Sequence, residues 1–269
     1  DRPETPIEEQ AVADACGFEK YEDLVHCMRE IIGALGYLTC WGRPDIRYAT
    51  YFMARFQARP TARHYELVKH ILRYLRKTKD LCLVFSPENS VADLNTLRMG
   101  DDYPLYGLVD SNYTGADDTR STSGYIFYFY GCPIVCESKK QKATSHSTTE
   151  AELIAASEAT KRCLYLRRLL TKDFKLVLEA TPLGEDNQGC IDHGRGGGRH
   201  ARMRHLDVAA SYVQQECKLN KTINLRYVAS ADNVSDIFTK ALGPLIFVRL
   251  RNRLMGDVVN ETVRDAEEY

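Results

Sequence analysis

Apolar residues follow two different regimes along this chain. Up to Lys77 they recur at helical spacing. Residues 28–56 read as an apolar helix broken at Gly42 and Pro44, and Pro60 marks the next boundary. Val68, Ile71, Leu72 and Leu75 then form a stripe within residues 61–77, while Arg63, Lys69, Arg73, Arg76 and Lys77 largely avoid it. That spacing predicts an amphipathic basic helix. Residues 81–85 read as a strand. Residues 86–104 contain Pro, Asn, Gly and an Asp pair with little periodicity, which reads as a linker.

Beyond the linker the apolar runs shorten to strand length. Residues 105–109, 125–130 and 134–136 are separated by turn residues and predict a three-stranded meander. The phrase Ser147-Thr-Thr-Glu150 is a capping-box signature opening a helix to about residue 170. A fourth strand is expected at 176–183, short helices at 187–193 and 205–217, a fifth strand at 222–228 and a closing helix at 233–242. The implied organisation is an acidic leader at 1–27, a mainly helical segment at 28–85, a linker at 86–104, an α/β domain at 105–243, and a C-terminal helix with an acidic tail at 244–269.

Composition adds bounds to this picture. The chain has 269 residues, 44% hydrophobic and 27% charged, which is ordinary globular material for one large or two small domains. The N-terminus is acidic and every uninterrupted apolar run is short, so no membrane span or signal peptide is expected. Nine cysteines lack any C-x-x-C pair, and reduced thiols in an intracellular setting are expected. The net charge of -1 conceals an asymmetry. Residues 1–23 carry eight acids against two bases, whereas residues 43–79 carry ten Lys/Arg against two acids, interleaved with aromatic residues. Such a basic segment suits a polyanion, and a solvated helix face over an ordinary core accounts for it equally well.

The candidate chemistry lies in the second half. Asp110 terminates the run 105–109, and Asp186 follows the strand ending near Leu183, so both carboxylates belong at strand ends. On the long helix the buried stripe is Ala155, Ala159, Cys163, Leu166 and Leu170. Glu152 extends that stripe, whereas Glu150, two residues away, is turned by roughly 200° and keeps the capping role. Asp236 stands in a fourth short phrase. Carboxylates gathered at one end of a sheet repel unless divalent cations neutralise them, which points to a hard-metal site and phosphoryl-transfer chemistry.

The phrases Val109-Asp-Ser-Asn-Tyr-Thr-Gly115, Ser121-Thr-Ser-Gly-Tyr125, Ser138-Lys-Lys-Gln141, Ser147-Thr-Thr-Glu-Ala-Glu152, Asp186-Asn-Gln-Gly189, His200-Ala-Arg-Met-Arg-His-Leu-Asp207 and Asp236-Ile-Phe-Thr-Lys-Ala-Leu242 resemble, in order, the ribonuclease H region of copia-type retrotransposon polyproteins. Upstream, Gly36-Tyr-Leu, Arg43-Pro-Asp-Ile46 and His70-Ile-Leu-Arg-Tyr-Leu75 resemble the segment joining the reverse transcriptase to its ribonuclease H. The resemblance implies a ribonuclease H-like fold: a five-stranded mixed sheet flanked by helices, preceded by a mainly helical segment. It further implies hydrolysis of the RNA strand of RNA/DNA hybrids with two Mg2+ ions, Mn2+ being a possible substitute, held by Asp110, Glu152, Asp186 and Asp236. Recognition of such a hybrid rests partly on the ribose 2′-OH.

Lys139, Lys140 and Lys142 are candidates for contact with the nucleic acid backbone, or else form a charged surface turn. Arg199, His200, Arg202 and Arg204 are candidates for substrate phosphates, with helix packing an equal reading for the histidine. The chain departs from the family at Asn112, where a second aspartate is usual, at Cys136-Glu137, which replaces Trp-Lys, and in the glycine-rich phrase His193-Gly-Arg-Gly-Gly-Gly-Arg199. Met99-Gly-Asp-Asp102 resembles a polymerase aspartate pair only superficially, and a polymerase palm is expected to be absent. Two functions follow: a metal-dependent endoribonuclease, or a host-adopted structural or RNA-binding subunit of a larger assembly with protein partners and no catalytic use of the acids.

Overall fold

The computed structural model describes residues 5–85, 103–113, 120–196 and 206–256, and the chain divides into two compact units, Asp1–Cys82 and Leu83–Tyr269. No helix among the described residues is long and apolar enough to cross a membrane.

The first unit is helical. α1 (Pro6–Cys16) starts at a capping box between Thr5 and Glu8 and stops at Gly17, whose φ of 80° lies in the left-handed region that glycine tolerates. α2 (Tyr21–Trp41) buries Leu24, Met28, Ile32 and Leu35 on one stripe. The expected boundary at residue 28 therefore falls inside a helix. Ala13 and Leu24 share one core with Met28 and Ile32, so residues 5–27 are part of this unit rather than a separate leader. Their acids had masked the pattern: Glu8, Asp14, Glu19, Glu22 and Asp23 all point outward.

Gly42 and Pro44 end α2 as expected, and a 3-10 turn (Pro44–Ile46) leads into α3 (Arg47–Ala54). The phrase Arg43-Pro-Asp-Ile46 is a structural lock. The Arg43 guanidinium donates twice to the Asp45 carboxylate, at 3.0 and 2.8 Å, and also to the Thr78 carbonyl and hydroxyl. Tyr74 adds its hydroxyl to Asp45 at 2.6 Å. Both charges are buried, so the geometry has to satisfy them internally. The lock holds the end of α4 (Ala62–Lys77) against the turn before α3. α4 buries Val68 and Ile71, while Leu72 is exposed, so its apolar stripe is narrower than the spacing suggested.

Residues 81–85 form no strand. The second unit is built on a sheet of order β3-β2-β1-β4-β5. β1 (Leu105–Asn112), β2 (Thr122–Phe129) and β3 (Cys132–Lys140) form the antiparallel meander. β4 (Thr181–Glu185) and β5 (Ile223–Tyr227) add parallel to β1 and to each other. This is the expected ribonuclease H-like arrangement, a mixed five-stranded sheet whose parallel half requires a helical crossover. α5 (Thr148–Lys172) supplies it. Its Ala155, Ala159, Cys163, Leu166 and Leu170 all enter the core, against Leu105 and Val109 of β1 and Tyr125 and Phe127 of β2.

Two elements differ from their sequence reading. Residues 176–180 are irregular and β4 begins only at Thr181, because Arg167 of α5 binds the Leu178 and Glu179 carbonyls that a strand would have paired. The expected closing helix at 233–242 is a 3-10 turn (Val234–Phe238). Asn233 caps it and also donates to the Val109 carbonyl at 2.9 Å, fastening the turn to β1. α6 (Gln188–Gly194), α7 (Leu206–Gln214) and α8 (Pro244–Met255) complete the unit.

Candidate active site

Asp110 sits near the C-terminal end of the central strand, opposite Gly124 of β2. Gly124 has no side chain for a steric reason. A Cβ there would stand 2.6 Å from Thr239 Cγ2, 2.8 Å from Phe238 Cβ and 3.0 Å from the Ser235 carbonyl oxygen. The glycine of the phrase Ser121-Thr-Ser-Gly-Tyr125 thus lets the 234–238 turn lie directly on the sheet. That contact delivers the Thr239 hydroxyl, which donates to Asp110 Oδ2, and brings Asp236 beside Asp110.

Glu152 comes from the second turn of α5, just past its capped start. Ser147 Oγ accepts from the Glu150 amide at 3.1 Å, as the capping signature requires, and the Glu150 carboxylate accepts from the His146 amide at 2.7 Å, one residue earlier than in a reciprocal box. The start of α5 is further tied down by Gln141. Its amide nitrogen donates to Ser123 Oγ at 2.9 Å and to the Ala151 carbonyl at 2.8 Å, while its oxygen accepts from Ser145 at 2.9 Å. So the glutamine closing Ser138-Lys-Lys-Gln141 works as a strut that fixes the residue next to Glu152.

Asp186 follows β4, and Asn187 caps α6 by accepting from the Cys190 amide at 3.0 Å. One carboxylate oxygen from each of Asp110, Glu152 and Asp186 falls within 4.8 Å of the others. Asp236 lies outside that group. Its Oδ1 is 2.9 Å from Lys240 Nζ, which also stands 3.8 Å from Asp110 Oδ2.

The electrostatics are dominated by burial. Asp110, 2% exposed, has its carboxyl pushed up to about 8 by desolvation and then by Asp236, with Lys240 and the Thr239 hydroxyl opposing. Glu152 is pushed up further by desolvation, then by Glu185, Asp110 and Asp186. Lys240 is desolvated too, yet Asp110 and Asp236 outweigh that and hold its ammonium charged.

Glu185 was missed in the sequence because the fourth strand was expected to end at residue 183, whereas β4 runs on to Glu185. It is fully buried beside Asp186, with one oxygen accepting from the Asn187 amide at 3.1 Å. Lys240 and Thr239 stood in the phrase that located Asp236, with no local pattern to mark them.

Lys139 and Lys140 end β3 in register with Ser123 and Thr122 of β2, and Lys142 follows, exposed. Lys139 lies 3.9 Å from Glu158. Arg199, His200, Arg202 and Arg204 lie outside the described residues, as does the phrase Met99-Gly-Asp-Asp102.

Does this constellation fit a hard divalent cation? Glu152 Oε2 is buried without a hydrogen-bond partner among the described residues, a costly arrangement that a cation would relieve. Three convergent oxygen donors of like charge are the donor set such an ion takes. The residues therefore fit.

Fold and site together define a ribonuclease H-like domain with a carboxylate centre at one end of its sheet. No family model matches the chain. Among curated proteins, the retrovirus-related Pol polyprotein from transposon TNT 1-94 of Nicotiana tabacum is 34% identical over 212 residues, covering 78% of this chain and 15% of the polyprotein. The corresponding polyprotein from transposon RE1 of Arabidopsis thaliana is 29% identical over 227 residues, covering 84% and 14%. The chain thus spans about 15% of the length of these relatives. Among solved structures, the RNase H1 of Halobacterium salinarum NRC-1 aligns with a TM-score of 0.38 at 14% identity, covering 50% of this chain and 93% of that one. The chain belongs to the copia-type retrotransposon Pol polyproteins, in the region of their reverse transcriptase connection segment and ribonuclease H.

Proposed function

We propose that this chain is a divalent-metal-dependent endoribonuclease that cleaves the RNA strand of RNA/DNA hybrids. The observation that carries this reading is the convergence of Asp110, Glu152 and Asp186 within 4.8 Å of one another around an unpartnered buried oxygen of Glu152. Membership of the Pol polyproteins supports the substrate class. Asp110, Glu152 and Asp186 would hold the metal, with Asp236 as the fourth acid. Mg2+ or Mn2+ bound there supplies charge neutralisation at a scissile phosphate and activation of water.

The chain's own contribution is positional. Burial of Asp110 and Glu152 keeps water from competing for their oxygens, and Gln141 and Asn187 fix the backbone beside Glu152 and Asp186. Lys139, Lys140 and Lys142 would contact backbone phosphates, as would Arg199, His200, Arg202 and Arg204. The ribose 2′-OH distinguishes the strand to be cut.

The test is cleavage of a labelled hybrid with Mg2+ or Mn2+ by the full chain and by Asp186→Asn. The parent should cut, and the variant should lose at least about 100-fold, the upper end of what losing even an outer partner of a metal ligand costs. Equal rates in parent and variant would sink the reading.

A further inference from the structure

We infer that Lys240 is the resident cation of the Asp110–Asp236 half of the site, so that the protein takes one divalent ion freely and a second only by displacing this ammonium. The inference rests on the nuclease reading above and deepens it.

The two halves of the acidic centre are built differently. On one side Asp110, Glu152 and Asp186 converge, and Glu152 Oε2 has no partner among the described residues. On the other side Asp236, 6% exposed, has an Oδ1 that also makes no hydrogen bond among the described residues but forms an ion pair at 2.9 Å with Lys240 Nζ, which also stands 3.8 Å from Asp110 Oδ2. The chain sets this pairing through local geometry. Lys240 lies four residues after Asp236, at the exit of the 3-10 turn, and its amide donates to the Asp236 carbonyl at 3.3 Å. The Thr239 hydroxyl, one residue earlier, holds the same Asp110 oxygen. Two buried carboxylates side by side need a positive charge, and this half carries its own.

A consequence for ion binding follows from Coulomb's law. A divalent ion between Asp110, Glu152 and Asp186 would meet three acids, with the ammonium only at one edge, 3.8 Å from Asp110 Oδ2. An ion shared by Asp110 and Asp236 meets the ammonium at the same oxygens. Repulsion at such separation is strong in a partly desolvated site. Lys240 can give way, because its side chain is 35% exposed and its four-carbon stem is flexible. Lys240 is therefore a positioning residue that ranks the two ion positions. It keeps Asp236 oriented and neutralised, and would have to move aside for a second ion to be held there.

The experiment is an Mn2+ titration of the full chain, read by electron paramagnetic resonance of the free ion, with Lys240→Met, Lys240→Gln, Lys240→Arg and Asp186→Asn alongside. Expected is one tight ion in the parent, with a second at least about tenfold weaker. Lys240→Met and Lys240→Gln should tighten the second by at least about that factor and the first by less, because the ammonium stands nearer Asp236 than Asp110. Lys240→Arg, which keeps the charge, should behave as the parent. Two ions of equal affinity in the parent would overturn the inference without any variant, which covers the case in which Lys240→Met and Lys240→Gln fail to fold. So would parent-like second-ion affinity in folded Lys240→Met. A first ion indifferent to Asp186→Asn sinks the nuclease reading itself, whereas an unaltered second ion sinks only the role of Lys240.

Discussion

Asp110 shows how a buried acid couples ion binding to stability. Its carboxyl is raised from the ordinary 3.8 to about 8, first by desolvation and then by Asp236. Between those two values the folded protein holds a proton on Asp110 that the unfolded chain has released. The native state then binds more protons, so stability falls as pH rises. Glu152 is shifted in the same direction, by burial and then by Glu185, and adds the same sign. The metal-free protein should therefore melt at progressively lower temperature from about pH 4 to about pH 8. Added Mg2+, which binds the ionised carboxylates, should reverse the slope near the upper end. Glu152→Gln removes one of the groups whose retained proton makes stability fall with pH. It should flatten the fall of the metal-free melting temperature with pH, while abolishing the Mg2+ response. Calorimetry of parent and variant with and without Mg2+ checks both. A metal-free melting temperature that rises with pH would contradict the assignment.

At the scale of elements, the site depends on one close contact between β2 and the turn that carries Asp236. Gly124→Ala places a methyl group 2.6 Å from Thr239 Cγ2 and 2.8 Å from Phe238 Cβ, which nothing can accommodate without moving the turn. Overpacking of this kind costs about 1–3 kcal/mol. Urea unfolding should show a loss of that size, and Asp236→Asn should then cost less activity than it does in the parent, because the turn has already shifted. A variant with unchanged midpoint would mean that the turn yields freely. The same contact explains what the sequence could convey. Ala155, Ala159 and Cys163 declare the inward side of α5 that Glu152 extends, yet Glu150 is buried as well, against the His146 amide, so its capping bond rather than phase separates the two. Asp110 and Asp186 were legible because strands have ends. The 3-10 turn was read as a helix because its shape is set by Asn233 reaching the Val109 carbonyl, 124 residues away in the chain. Lys240 and Glu185 were invisible for the same reason: their meaning lies in which distant carboxylates the fold sets beside them.

At the scale of the whole molecule, chemistry and charge belong to different units. All four acids lie in Leu83–Tyr269, whereas the basic segment 43–79 belongs to Asp1–Cys82, which has its own core. Within that segment Arg43 and Arg47 are buried, and Arg43 is committed to Asp45. Arg63, Arg73, Arg76 and Lys77 of α4 are exposed. We propose that the helical unit contributes affinity for the hybrid and the sheet unit contributes cleavage. Each Lys/Arg that neutralises a backbone phosphate adds about 0.7–0.9 to the slope of log affinity against log salt. Residues 83–269 alone should therefore keep the metal requirement and the Asp186 dependence of cleavage, yet bind hybrid with a shallower slope than the full chain. Arg73→Glu together with Arg76→Glu in the full chain should reduce the slope by up to about two and leave the Mn2+ affinities unchanged. Fluorescence anisotropy over a series of salt concentrations measures this directly. Equal slopes in the full chain, the charge-reversed variant and residues 83–269 would show that the basic helix faces solvent and that the sheet unit alone holds the substrate.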